Sequence, residues 1–164
     1  MNLANATELE PSSIKPGGPS RPESADSTPR HRLRSDPQSH REGLELLRRL
    51  HGGHFGEQLM ASLSEVCPDF ATMTVEWALA GVMGRPGLDL VTRELLLIAS
   101  CTTLGFAAPQ LRAHIEAALS SGATRQQIIE TILQMLFYAG GAAVSNALRT
   151  AAEVFREEEH TAEW

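Results

Sequence analysis

From residue 89 onward, apolar positions recur at helical spacing, and each run is bracketed by a starting and a stopping residue. Asp89 suits a helix N-cap, where its carboxylate accepts a free backbone N–H. No charge occurs between Leu95 and Leu111, and the run Leu95-Leu96-Leu97-Ile98-Ala99 is apolar on every face. That predicts a helix buried all round. Gly105 suits the left-handed residue after a helix, and Pro109 suits the first turn of the next. In that next helix Leu111, His114, Ile115, Ala118 and Leu119 form one apolar stripe, so His114 points inward. Arg112 and Glu116 make an i,i+4 pair on the opposite face. Gly122 closes this helix, and Thr124 with Gln127 forms a capping box for the third. Ile128, Ile129, Ile132, Leu133, Leu136 and Phe137 give the third a broad apolar face, and Gly140-Gly141 breaks the chain before a last helix over roughly residues 143–158.

Upstream, a short helix is expected over residues 42–50, then a turn at His51-Gly-Gly-His54, then a second helix over residues 57–66. Pro68 opens a third, with Phe70, Met73, Trp77 and Ala80 on one stripe and Glu76 beside it. Arg85-Pro86-Gly87-Leu88 has Pro and Gly where a type II turn prefers them. No useful stretch alternates with period two, so the fold expected is all-α, a compact bundle of about six or seven helices.

Composition sets the limits. Residues 1–40 hold six of the nine prolines and few large apolar side chains, which predicts a disordered tail before a domain over residues 41–164. The net charge of -6 falls wholly on that domain, which has no basic cluster, so nucleic acid is not an expected partner. No apolar segment is long enough to span a bilayer, and no signal sequence is seen; the expected location is the cytoplasm. Cys67 and Cys101 lie too far apart for a redox pair and read as small buried apolar residues in a reducing compartment. The only lysine, Lys15, is in the tail, which excludes Schiff-base chemistry by a domain lysine.

Candidate chemistry centres on two ionisable residues at apolar positions. His114 carries the side chain best suited to proton transfer in neutral solution; it also reads as a satisfied core or interface histidine. Glu94 opens the uncharged helix, either as a salt-bridged carboxylate or as a general acid or base with a raised pKa. Glu76 is a second carboxylate of the same kind. Arg85 and Arg93 have the fork that clamps a substrate carboxylate, and Arg85 is the substrate-binding candidate. Trp77, Met83, His54 and the single tyrosine, Tyr138, complete the list. His51 and His54 have two glycines between them and no nearby ligand cluster, so a metal is not expected.

Thr92-Arg-Glu-Leu-Leu, Leu111-Arg-Ala-His114 with Ala117-Ala-Leu, Gly122-Ala-Thr-Arg-Gln-Gln-Ile-Ile-Glu130 and Phe137-Tyr-Ala-Gly140 together resemble the carboxymuconolactone decarboxylase family. Arg85-Pro-Gly-Leu-Asp89 is similar to a signature of its gamma-carboxymuconolactone decarboxylase branch, within the alkylhydroperoxidase D-like superfamily. The resemblance covers most of residues 42–157 and implies that superfamily's helical fold. It also implies a homotrimer or homohexamer and a cofactor-independent carboxy-lyase acting on a small lactone such as 4-carboxymuconolactone. His114 would be the acid, Glu94 or Glu76 would set its protonation, and Arg85 would anchor a carboxylate. Hydroperoxidase members carry a Cys-x-x-Cys pair where this chain has Ala107 and Gln110, and a dithiol mechanism needs both thiols. The stretch Leu79-Ala-Gly-Val-Met83 replaces the branch's tryptophans and glutamate, and Gly140-Gly-Ala142 replaces its Gly-Val-Pro. Both changes point to a more apolar acid or lactone. Two alternatives stay open: an isomerase or cyclase on a biosynthetic intermediate, and a non-catalytic oligomerisation or ligand-binding module.

Overall fold

A computed structural model of the chain describes residues 35–162. Most of the expected tail, residues 1–34, lies outside the described residues. Helix α1 covers Pro37–His51 and so starts before the expected residue 42. Asp36 caps it by accepting from Ser39 N–H at 2.9 Å, and Pro37 occupies a first turn that needs no donor. Helix α2 is Phe55–Val66. Helix α3 begins as an α-helix over Pro68–Met73 and continues as a π-helix over Thr74–Met83. Then follow α4 (Leu90–Leu104), α5 (Ala108–Ser120), α6 (Arg125–Gln134) and α7 (Leu136–Ala162). The fold is all-α, with seven helices and no strand among the described residues. None of these helices is long and apolar enough to cross a membrane.

The punctuation follows the sequence. Asp89 accepts from Thr92 N–H at 2.9 Å, Gly105 ends α4 at φ 74°, and Thr124 and Gln127 form the capping box of α6. Gly140, at φ 78° and ψ 166°, interrupts α7 where the double glycine predicts a break.

Four expectations about burial are overturned. α4 is not buried all round: Leu96 is 54% exposed, and Leu95 and Leu97 are only half-buried. The helix enclosed on most sides is α5, where Ala113, Ile115, Glu116, Ala117 and Ala118 are all buried and α1, α2, α4, α6 and α7 pack around it. Its alanines explain this, because small side chains let neighbouring helices approach closely. The Arg112–Glu116 pair exists, at 3.1 Å, but Glu116, expected on the face opposite the apolar stripe, is buried. Its Oε2 accepts from Phe55 N–H at 3.0 Å and so serves the start of α2, where His54 provides no side-chain cap. Thirdly, the apolar face expected through Leu133, Leu136 and Phe137 is exposed at those three residues, and only Ile128 and Ile132 of that set are buried.

The stripe expected on α3 also differs. Phe70, Met73 and Trp77 are exposed, and Val75, Leu79 and Met83 are buried instead. These recur at every fourth position, the repeat of a helix wound wider than an α-helix. The wide winding shows at its end, where Gly84 N–H reaches Leu79 O at 2.8 Å. α1 crosses this segment at Gly43, where an added Cβ would lie 2.0 Å from Val75 O. Only glycine allows so close an approach.

Candidate active site

α5 joins two apolar clusters. Ile115 and Ala118 pack with Ile98, Ile128, Ile132 and Val154, whereas Ala117 packs with Leu47, Leu50, Val75, Leu79 and Met83. A cavity of about 370 Å³ lies among α1, α2, α3, α4 and α5. Aliphatic and aromatic side chains make nearly all of its wall; the polar ones are His51, Thr74, Glu94, Gln110 and His114. Among the described residues no lysine or arginine lines it.

Two neighbouring helices bring together the ionisable residues singled out by the apolar pattern. Glu94 faces inward from α4 and has no exposed surface. Its Oε2 lies 2.8 Å from His114 Nδ1 on α5, and the His114 side chain is 22% exposed, on the cavity wall. A buried carboxylate needs such a partner. Its other oxygen, Oε1, is buried with none. With Glu94 as acceptor, His114 carries a hydrogen on Nδ1, and Nε2 is left to exchange a proton with a bound molecule. Of the two cysteines expected to be buried, Cys67 is exposed after α2, and Cys101 is free and buried; burial first and the Glu94 carboxylate second push the Cys101 thiol pKa up, so it is no thiolate nucleophile at neutral pH.

A second histidine shares the cavity. His51 is the last residue of α1 and is 7% exposed. Its ring centroid is 6.3 Å from that of His114, with the planes at 63°. His51 Nδ1 is buried without a partner, and a Cβ added at Gly56 would lie 2.4 Å from it. Burial, and then the charges of His114 and His54, lower the His51 pKa to about 4, which leaves it neutral at ordinary pH. The sequence reading placed His51 only in a turn. The signal was present, since His51 follows Leu47 by four residues on the buried face of α1.

The carboxymuconolactone decarboxylase family matches residues 68–153, more than half of the chain. The chain belongs to the carboxymuconolactone decarboxylase family. It is 32% identical over 123 residues to a 4-carboxymuconolactone decarboxylase of Acinetobacter baylyi, covering 75% of this chain and 91% of that protein. It is 40% identical over 107 residues to an uncharacterized 15.0 kDa protein encoded between nqo9 and nqo10 in Paracoccus denitrificans, covering 65% of this chain and 78% of that one.

Within this family member the other candidates take varied positions. Trp77 and Met83 line the cavity with Glu94 and His114, Trp77 as a largely exposed ring and Met83 as a buried side chain. Glu76 does not meet His114. Its carboxylate accepts from Ser35 Oγ–H and from Asp36 N–H at 3.1 Å, and lies 3.1 Å from His40 Nδ1. The Ser35 hydrogen bond, first among these, lowers the Glu76 pKa. Arg85 is exposed on the turn and does not line the cavity. Arg93 donates to the carbonyls of Arg85 at 2.8 Å and Leu88 at 3.1 Å, so it ties that turn to α4. Tyr138 is 92% exposed. His54 stands at the start of α2 with Nδ1 3.8 Å from Glu158. Gln110, met in the sequence only as the position of a missing cysteine, lines the cavity on the same helix as His114.

Proposed function

We propose that the chain is a cofactor-independent carboxy-lyase that removes carbon dioxide from a small carboxylate-bearing lactone such as 4-carboxymuconolactone. The observation that carries this reading is the Glu94–His114 pair on the wall of an apolar cavity. Family membership and the named decarboxylase relative support it. The carbon–carbon bond to the carboxylate breaks, and its electron pair passes into the conjugated carbonyl to give a dienolate. His114, acting as the imidazolium with hydrogens on both ring nitrogens, then gives its Nε2 proton to carbon and keeps Nδ1–H on Glu94, and solvent restores the proton. Glu94 holds the imidazole and balances its charge as the proton moves. The wall contributes by what it lacks. Among the described residues no lysine or arginine lines it, so a carboxylate that enters loses water and pairs with no side chain of fixed charge, whereas a transition state with dispersed charge is penalised less.

The test is incubation of the purified chain with 4-carboxymuconolactone, following carbon dioxide and product mass. Release that is lost in His114→Gln is the expected result. A product of unchanged mass would replace decarboxylation by isomerisation or ring closure in the same cavity. No turnover of any lactone acid by the folded protein would favour a binding module. Assembly as a trimer or hexamer belongs to the same proposal, supported by the exposed Leu96, Phe106 and Phe137. A monomer in sedimentation at micromolar concentration would remove it.

A further inference from the structure

We propose that His51 is a second substrate-facing imidazole, whose Nε2–H binds the oxygen on which negative charge gathers while His114 moves the proton. This rests on the decarboxylase reading. Two hydrogen-bonding edges of the ring are available, and the structure distinguishes them. Nδ1 is buried against the α2 backbone at Gly56 with no partner, and the ring lines the cavity. A hydrogen placed on Nδ1 would be a buried donor with nothing to receive it. Placed on Nε2, it becomes available to a molecule in the cavity. Gly56 makes this seat, because any Cβ there would strike the ring.

The distance to His114 fits the same role. An N–H···O hydrogen bond puts the acceptor roughly 4 Å from the centroid of the donor ring, given N···O separations of about 2.9 Å. Two rings 6.3 Å apart can therefore reach one atom or two adjacent atoms of the same small molecule. The class of ligand follows: a planar, conjugated carbonyl compound whose reacting carbon faces His114 and whose carbonyl oxygen faces His51. Among the described residues no lysine or arginine lines the wall, and beside the proton-moving His114 the cavity offers a developing enolate the neutral donor of His51. A neutral donor also suits the reaction better than a cation. A cation would hold the starting carboxylate as firmly as the transition state, and equal binding of both gives no acceleration of the bond-breaking step.

The experiment uses the full chain with 15N-labelled histidine and reads tautomers by two-bond proton–nitrogen spectra, with 2-furoate, a planar five-membered-ring carboxylate, as the probe. His51 should be neutral with its hydrogen on Nε2 at pH 7. Furoate should move the His51 and His114 signals along one saturation curve. His51→Phe should weaken furoate binding roughly tenfold or more, the effect of losing one useful hydrogen bond to an anion. His51→Gln, which keeps an N–H near the Nε2 position, should recover most of that loss. A hydrogen found on Nδ1 overturns the proposal without any variant. So does furoate that moves His114 alone and binds His51→Phe as it binds wild type; that outcome leaves the decarboxylase reading standing. Furoate that moves neither histidine overturns both.

Discussion

Replacing Glu94 by glutamine should separate activity from stability, because the structure sets a large loss in the first and a near balance of opposed terms in the second. The side chain is fully buried, one oxygen meets His114 Nδ1 at 2.8 Å, and the other has no partner. Glutamine keeps the shape and one acceptor oxygen but removes the charge that balances the imidazole during proton transfer. A positioned acid–base group contributes roughly 10²–10⁴-fold. Because the amide oxygen still orients the ring, the loss in kcat should fall at the low end, about a hundredfold, equivalent to about 2.7 kcal/mol of barrier. Stability should move the other way or stay level. Removing a buried, half-satisfied carboxylate relieves its desolvation, against about 1–3 kcal/mol for the amide N–H₂ left without an acceptor. The net change should stay within about 1 kcal/mol on these magnitudes. Carbon dioxide release from 4-carboxymuconolactone measures the first quantity, and urea unfolding followed by circular dichroism measures the second. A variant that keeps its kcat but loses more than about 2 kcal/mol would refute the reasoning, since that is the behaviour of a structural ion pair broken on one side.

Three further outcomes are expected. His51 has a folded pKa of about 4, below its unfolded value of about 6.5, so the unfolded chain takes up this proton first. The group's contribution is intact above pH 6.5 and is lost as pH falls toward 4, by about 3 kcal/mol at most; His51→Phe should therefore flatten the stability profile across that window, and an unchanged slope in urea midpoints would count against the burial argument. Gly43→Ala should destabilise by about 2–3 kcal/mol, because its Cβ would lie 2.0 Å from the Val75 carbonyl and α1 must lift from the π-helical segment; a wild-type melting temperature would contradict this contact. Arg93→Ala removes two hydrogen bonds to the 85–88 turn and should cost about 1–2 kcal/mol, and Arg93→Lys, which lacks the fork, should not restore it; full recovery in the lysine variant, read from urea midpoints, would show that charge alone matters there.

The chain's own pattern determined its local architecture. Asp89, Gly105, Pro109 and the Thr124–Gln127 box set helix ends through contacts within one turn, so a linear reading finds them. The same holds for the inward direction of His114, which needs only the 3.6-residue repeat. The site was legible only in part. Glu94 and Glu76 look alike in sequence, and only the packing of α4 against α5 puts one of them on His114 while the other accepts hydrogen bonds at the start of α1. His51 pairs with a histidine 63 positions away in the chain, a relation no local repeat can carry. The wide winding of residues 74–83 turns Val75, Leu79 and Met83 inward, contrary to the stripe that an α-helical period predicts. The enclosure of α5 rather than α4 depends on which neighbours the small side chains of Ala113, Ala117 and Ala118 admit. Caps and stripes are decided by residues one or two turns apart. Cavities, dyads and helix crossings depend on the distances between elements, and those exist only once the helices have packed.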